Sequence, residues 1–340
     1  MKKIISLLLA AALLFALSAC GKNAEKGESS APAGSAAEKY EKLDVKCNIF
    51  GLNGPTGMGL APLMKKAEEK TGLLDYSISN VGSNDEIVAK LTNGEADIAA
   101  VATNLASTLY QKTNGGIKVL AVNTLGVLTL VSKVEEVATI SDLKGKTVYS
   151  TGKGANPEYI INYILEKNGL KPGEDVTLEF VGQPAELISK FAAGEKVIAI
   201  APQPVATTIT VKDAAAKTVL DLNTEWEKVS DTKLVMGCIV ARSEYADKNP
   251  QVIKAFMKDY EDSVKAVNSD PDTAAELCAN YGIVAAAPIA KKALPYCNIV
   301  FESGKEMKTD LSAYLSFLYE KNAASVGGKL PDDSFYYNAK

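Results

Sequence analysis

EIVAKLTNGEADIAAVATN, residues 86–104, is the stretch whose reading decides the fold. It reads as the end of an amphipathic helix, a glycine turn, and a short apolar strand whose far end carries polar residues. One hundred residues on, ELISKFAAGEKVIAIAPQP (186–204) repeats the pattern. Glu86/Glu186, Lys90/Lys190, Gly94/Gly194, Glu95/Glu195, Ile98/Ile198 and Ala99/Ala199 match without a gap. Ile87/Leu187, Val88/Ile188 and Leu91/Phe191 match in kind. Common ancestry and coincident patterning both account for the match, and both give one architecture: a helix–turn–strand unit made twice, hence two similar α/β lobes facing each other.

The length agrees, because 340 residues exceed what one core comfortably organises. With 47% apolar and 23% charged residues a sizeable core is available, and a formal charge of −4 without a basic stripe argues against nucleic acid as a partner. At the N-terminus, Met1-Lys2-Lys3 is a charged start and residues 4–16 form an apolar run too short to span a membrane. Leu17-Ser18-Ala19-Cys20 matches a bacterial lipobox. The expectation is a lipoprotein signal over 1–19, cleavage before Cys20, and a lipid on its sulfur that anchors the protein to a membrane; an ordinary secretory signal is the alternative. Residues 20–43, rich in Gly, Ala, Ser, Lys and Glu, then read as a flexible tether. Cys47, Cys238, Cys278 and Cys297 lack close CxxC spacing and read as isolated buried thiols, with disulfides, which export permits, as the alternative. With no histidine and no clustered Cys, neither a metal site nor a cofactor is expected.

Along the chain, strands are predicted at 45–50, 76–81, 96–102 and 117–123, with helices near 60–70, 83–93 and 105–112. The extended run 127–132 has the character of a crossing between lobes. The grammar then repeats: strands at 147–150, 176–181, 197–201 and 219–222, and helices at 157–167, 184–193 and 205–215. A buried strand at 234–241 is expected to return to the first lobe. Beyond Glu244 the pattern is almost wholly helical. Such alternation predicts parallel-rich sheets with helices on both faces.

Ligands of open α/β sheets lie beyond the carboxyl ends of the strands. Five polar clusters fall there: Asn53, Gly54, Pro55, Thr56 and Met58; Thr103 and Asn104; Asn123 and Thr124; Thr151, Gly152, Lys153, Gly154 and Asn156; and Gln203. The first and the 151–156 cluster each open a helix, whose free N–H groups favour an anionic or acceptor-rich group. Singly, each loop is a tight turn with a cap; together, in two lobes, they point to one shared binding site. Catalysis finds little support. Without histidine, Ser-His-Asp and Cys-His arrangements are impossible. Gly152-Lys153-Gly154 lacks P-loop spacing, and Asp85, Glu86 and Glu95 read as helix ends. The single arginine, Arg242, argues against a carboxylate clamp, and Trp226, the only Trp, against an aromatic cage. The remaining donors suit a small anion or a polar heterocycle.

The lipobox, the tether, GLNGPTGMGLAPLM (51–64), NDEIVAKLTNGEADIAAVATN (84–104) and DLKGKTVYSTGKGANPEYIINYILEKNGL (142–170) together resemble the solute-binding lipoproteins of ABC importers. The branch includes nitrate, taurine, aliphatic-sulfonate and thiamine-precursor binders. The resemblance implies an α/β type II periplasmic-binding-protein fold: two Rossmann-like lobes with a hinge, and a helical C-terminal region. Lobe 1 would comprise 44–125 plus 233–340, and lobe 2 126–232. It further implies a non-catalytic monomer that holds a small-molecule solute in the cleft through the clusters above. Its partners would be an ABC permease and its ATPase, its location extracytoplasmic and lipid-anchored. The chain departs from the thiamine-precursor enzymes of this fold, which need histidine, and places no arginine in these loops for a sulfonate. A sensory protein presenting solute to a receptor, and an enzyme on the same fold, are the alternatives.

Overall fold

The computed structural model describes residues 40–134, 137–194 and 196–338; the expected signal, Cys20 and the tether up to residue 39 lie outside them. The chain starts with β1 (Lys46–Leu52), α1 (Pro55–Met58), α2 (Ala61–Glu68) and β2 (Asp75–Val81). The opening repeat unit follows as α3 (Asn84–Thr92) and β3 (Ile98–Ala102), then α4 (Thr103–Lys112) and β4 (Ile117–Thr124). A second sheet begins with β5 (Leu128–Ser132) and β6 (Thr147–Ser150), then α5 (Asn156–Lys167) and β7 (Thr177–Phe180). The echo follows as α6 (Pro184–Ala192) and β8 (Ile198–Pro202), then α7 (Val205–Lys212), β9 (Lys217–Asp221) and α8 (Leu222–Glu227). The chain returns through β10 (Gly237–Arg242) to α9 (Ser243–Lys248), α10 (Pro250–Ser269), α11 (Pro271–Asn280) and α12 (Ala287–Ala293). It finishes with β11 (Ile299–Ser303) and α13 (Gly304–Lys321).

The two copies of the repeat fold alike because they carry the same local signals. The Ser83 hydroxyl accepts the Glu86 N–H at the start of α3, and Gln183 and Glu186 form a reciprocal capping box at the start of α6. Ile87 and Leu91, and their counterparts Leu187 and Phe191, are the buried positions of these helices.

The sheet orders are β11-β4-β10-β3-β1-β2 and β7-β6-β8-β5-β9. Taken from β2 and from β7, the two sheets match strand for strand, β11 being an extra edge on the first. In each, three strands pair in parallel and the fourth runs antiparallel to both neighbours. Register follows: Phe50 lies opposite Ala99, and Tyr149 opposite Ala199. The sheets are therefore mixed, not parallel-rich as expected. The antiparallel strands are the two exchanged ones, β5 and β10. Each follows a non-helical link and so starts at the end where the previous sheet was left, whereas parallel pairing needs a long crossover.

The C-terminal region is helical as expected, with one strand added. β11 forms a new sheet edge against β4, and Tyr336 makes an isolated bridge to Val119. That strand exists through tertiary pairing with a bulged register, which local periodicity does not report. Helices α1 and α8 were likewise unforeseen, since four and six residues are too short to display a 3.6-residue period.

The two crossings lie side by side. The Met236 N–H donates to the Thr124 carbonyl at 3.0 Å. Asn298 accepts the Leu125 N–H through its carbonyl at 3.0 Å and donates its side chain to the Gly126 carbonyl at 2.6 Å. From α8, which follows the second sheet, Asn223 Oδ1 accepts the Gly126 N–H at 3.2 Å. Asparagines on both sides thus fix the first crossing.

One apolar cluster runs from β3 and β4 through α13 to β5, α5 and Trp226, so the core continues across both sheets. A second lies between the other face of the first sheet and helices α2, α10, α11 and α12. Within it Asp259 is satisfied by the Leu73 N–H at 2.6 Å, the Tyr76 hydroxyl at 2.9 Å and Lys66 at 3.0 Å. Cys47, Cys238, Cys278 and Cys297 are buried free thiols, and burial pushes Cys47 and Cys278 up to about 12. Among the described residues no helix is long and apolar enough to cross a membrane.

Candidate functional site

The candidate residues lie on loops at the carboxyl ends of strands in both sheets. From β1, the Asn53 N–H donates to the Val81 carbonyl at 3.0 Å and the Gly54 N–H to the Ile283 carbonyl at 3.1 Å, which turns the chain into α1. Gly54 has a φ of 97°, a conformation that favours glycine. A Cβ placed there would sit 4.0 Å from Pro204 Cδ, so the first sheet's loop meets the turn after β8 in the second. Nearby, α12 packs against α7 from the opposite sheet.

Beneath this contact Thr56, Asn123 and Thr124 converge. Asn123 Nδ2 donates to the Thr56 carbonyl at 2.9 Å and to the Tyr260 hydroxyl at 3.1 Å, while its Oδ1 accepts the Thr124 hydroxyl at 3.0 Å. Asn123 and Thr124 are each only 1% exposed, and Thr56 is half-buried. All three crowd Gly237, the first residue of β10. A Cβ on it would lie 2.3 Å from Thr56 Cγ2, 2.7 Å from Asn123 Oδ1 and 3.0 Å from Thr124 Cβ. Gly237 and Tyr260 were not singled out by sequence. The available signal was a lone glycine inside the apolar run 234–241.

Thr103, at the start of α4, is held to the second crossing: its hydroxyl donates to the Val235 carbonyl at 2.6 Å and its N–H to the Met236 carbonyl at 3.2 Å. Asn104 follows it, half-buried in the first turn of α4. Met58 is fully buried in the core beneath α1, and Pro55 occupies the first position of that helix.

In the second sheet the Ser150 hydroxyl donates to the Thr151 carbonyl at 3.1 Å, and the loop 151–155 enters α5. The Gly154 N–H donates to Glu158 at 2.6 Å and its carbonyl accepts the Tyr159 hydroxyl at 2.5 Å, so part of the expected anion-binding capacity is already used by a carboxylate of α5. Thr151 and Asn156 are buried, Gly152 is half-buried, and Lys153 and Gly154 are exposed. Asn156 Oδ1 is buried without a hydrogen-bond partner.

Gln203 is 4% exposed and engaged at both ends. Its Nε2 donates to Thr129 at 3.2 Å, and its Oε1 accepts the Thr207 hydroxyl at 2.8 Å and the Thr207 N–H at 3.3 Å. It ties the β8–α7 turn to β5. Arg242 lies at the opposite end of the first sheet, donating to Asp97 at 2.8 Å and to the Ala96 carbonyl at 2.9 Å. Asp97 in turn accepts the Asn48 N–H at 3.0 Å. The one arginine is thus a strand-end fastener.

Solved structures share this architecture. An ABC transporter from Parabacteroides distasonis is 22% identical, with a TM-score of 0.73 over 87% of this chain and 100% of that one. The periplasmic aliphatic sulphonate-binding protein SsuA of Escherichia coli is 16% identical, with a TM-score of 0.65 over 83% and 94%. The periplasmic nitrate-binding protein NrtA of Synechocystis PCC 6803 is 15% identical, with a TM-score of 0.57 over 86% and 84%. The fold is the type II periplasmic-binding-protein fold, two Rossmann-like lobes with a hinge and a helical C-terminal region. No curated protein sequence matches the chain. The NMT1/THI5-like family model matches residues 72–274, more than half of the sequence, and the chain belongs to that family.

Proposed function

We propose that this chain is the substrate-binding component of an ABC importer. It captures a small polar or anionic solute between lobe 1 (44–125 plus 233–340) and lobe 2 (126–232) and delivers it to a membrane permease driven by its ATPase. It performs no chemistry, acts as a monomer outside the cytoplasm, and is held to the membrane by lipid on Cys20. One observation carries the reading: two sheets of matching topology meet through the loops at their strand ends, Gly54 of one against Pro204 of the other. The structural neighbours named as ABC transport and solute-binding proteins support it.

In this reading Thr56, Asn104, Thr151 and Asn156 contact the solute, with the loop residues Asn53, Gly54, Gly152, Lys153 and Gly154 around them. Thr124 and Gln203 tie the loops in place. A solute that donates to Asn156 Oδ1 relieves a buried unpaired acceptor, worth about 1–3 kcal/mol. Because solute touches both lobes at once, binding stabilises their approach. Arg242, fastened to Asp97, supplies no guanidinium clamp, so an anion would be held by N–H and hydroxyl donors.

Native mass spectrometry of protein purified from cell extract is expected to reveal a small bound solute. With that solute, Thr56→Ala and Thr151→Ala should each weaken binding roughly tenfold by calorimetry, the loss of about one hydrogen bond, with the fold intact. Unchanged affinity in both variants would remove the site from these loops.

A further inference from the structure

We infer that α13 is a brace that holds the two lobes at their observed separation, through a clasp of three aromatic rings spanning both. The inference rests on the two-lobe division but on no property of the solute. Helix α13 buries Met307, Leu311, Tyr314, Leu315 and Leu318 in the core, alongside β4, β11 and α4 of the first lobe. A different stripe of the same helix faces the second crossing and the second lobe. Phe317 on this stripe meets Trp226 of α8 with ring centroids 4.9 Å apart at 77°, and Tyr163 of α5 at 5.4 Å and 78°. Tyr163 and Trp226 close the triangle at 4.7 Å. These are edge-to-face and tilted geometries within the favourable range for aromatic pairs.

Polar contacts extend the brace in both directions. Towards its N-terminus, Lys233 of the second crossing is bound by Glu302 at 2.8 Å, Glu306 at 3.2 Å and Asp310 at 2.8 Å. Towards its C-terminus, Lys321 lies 5.7 Å over the Tyr163 ring and 3.9 Å from Glu166. Just beyond the helix, Asn322 donates to the Tyr159 hydroxyl at 3.0 Å, and Tyr159 donates to the Gly154 carbonyl of the 151–155 loop. At about 1.5 Å per residue the helix is roughly 27 Å long, enough to join the crossing to that loop. Trp226 adds a further link, its indole N–H donating to the Thr232 carbonyl of the crossing at 2.5 Å. Rotation of the lobes about the crossings must therefore break the Phe317 contacts. Trp226, fully buried and the only tryptophan in the chain, reports on them.

The test needs no solute. In Phe317→Ala, Trp226 emission is expected to shift to longer wavelength, and small-angle X-ray scattering to give a larger radius of gyration than the unaltered protein, with far-UV circular dichroism unchanged. A shifted emission with an unchanged radius of gyration would reduce the clasp to ordinary packing and overturn the inference. Should Phe317→Ala fail to fold, Phe317→Leu, which keeps most of the apolar volume but removes the ring edges, is read by the same two measurements and the same criterion. A protein that carries no solute in native mass spectrometry yet opens in Phe317→Ala would sink the transport reading and leave this one standing.

Discussion

Gly237→Ala is expected to destabilise the fold by crowding the loop that follows β1. The added methyl would lie 2.3 Å from Thr56 Cγ2, 2.7 Å from Asn123 Oδ1 and 3.0 Å from Thr124 Cβ. Carbon atoms rest about 3.5–4.0 Å apart, so Thr56 must retreat by more than about 1 Å. Its φ lies outside the left-handed region, so the conflict is steric and not one of backbone conformation. Overpacking of this kind costs about 1–3 kcal/mol. Retreat of Thr56 also strains the bond between its carbonyl and Asn123, worth about 1 kcal/mol. The sum, about 2–4 kcal/mol, divided by an unfolding entropy of roughly 0.6 kcal/mol/K for about 300 residues, gives a fall in Tm of about 3–7 °C. Thermal unfolding followed by circular dichroism reads it. The decisive control is Thr56→Ser, which deletes the atom closest to the new methyl. In the double variant Gly237→Ala/Thr56→Ser, Tm should recover by more than additivity predicts, leaving a smaller deficit from Asn123 and Thr124. An unchanged Tm in Gly237→Ala, or strictly additive effects in the double variant, would refute the crowding argument.

Three further outcomes follow from the same geometry. Asn123→Ala leaves the Thr56 carbonyl and the Tyr260 hydroxyl without their shared donor, so stability should fall by about 2 kcal/mol and amide exchange in α1 should accelerate; unchanged exchange would show that Asn123 does not secure the loop. Arg242→Lys should lower stability by about 1 kcal/mol, since only the guanidinium reaches both Asp97 and the Ala96 carbonyl, without altering solute affinity; a lost affinity would bring Arg242 into the site. Lys233→Met should destabilise by about 1–2 kcal/mol at neutral pH, a modest figure because Lys233 is 38% exposed and screened. Burial pushes the Glu302 carboxyl up, and Lys233 opposes that rise. Without the lysine the carboxyl rises further, and a carboxyl raised on folding favours the folded state only when protonated. The deficit of Lys233→Met should therefore shrink as pH falls toward about 4, the ordinary carboxylate range; a deficit independent of pH would show that charge is not the cause.

Both lobes could be read from residues 86–104 and 186–204 because their signals are local. A cap, an apolar face at helical spacing, a glycine and a run of β-formers all fall within about twenty residues. The same locality made the strand ends visible, and with them Thr56, Asn123, Thr124, Thr151 and Asn156 as polar residues near the carboxyl ends of strands. Locality also limited the reading. Gln203 looked like a free reader of solute, yet its amide is spoken for by Thr129, 74 positions away, and by Thr207. Gly237 passes unmarked within the strand predicted at 234–241, and only the approach of Thr56 from the first loop explains why no side chain fits there.

What residue pattern decided alone was the alternation of elements, the doubled helix–turn–strand pattern, and a composition without histidine. Tertiary structure decided the rest: that β5 and β10 are exchanged between sheets and run against their neighbours, that β11 exists at all, and that Phe317 of α13 lies against Trp226 of α8. The division has a physical cause. Periodicity and capping are energies between residues a few positions apart, whereas strand direction, close backbone approach and ring packing join residues a hundred apart, and no stretch of chain carries both partners.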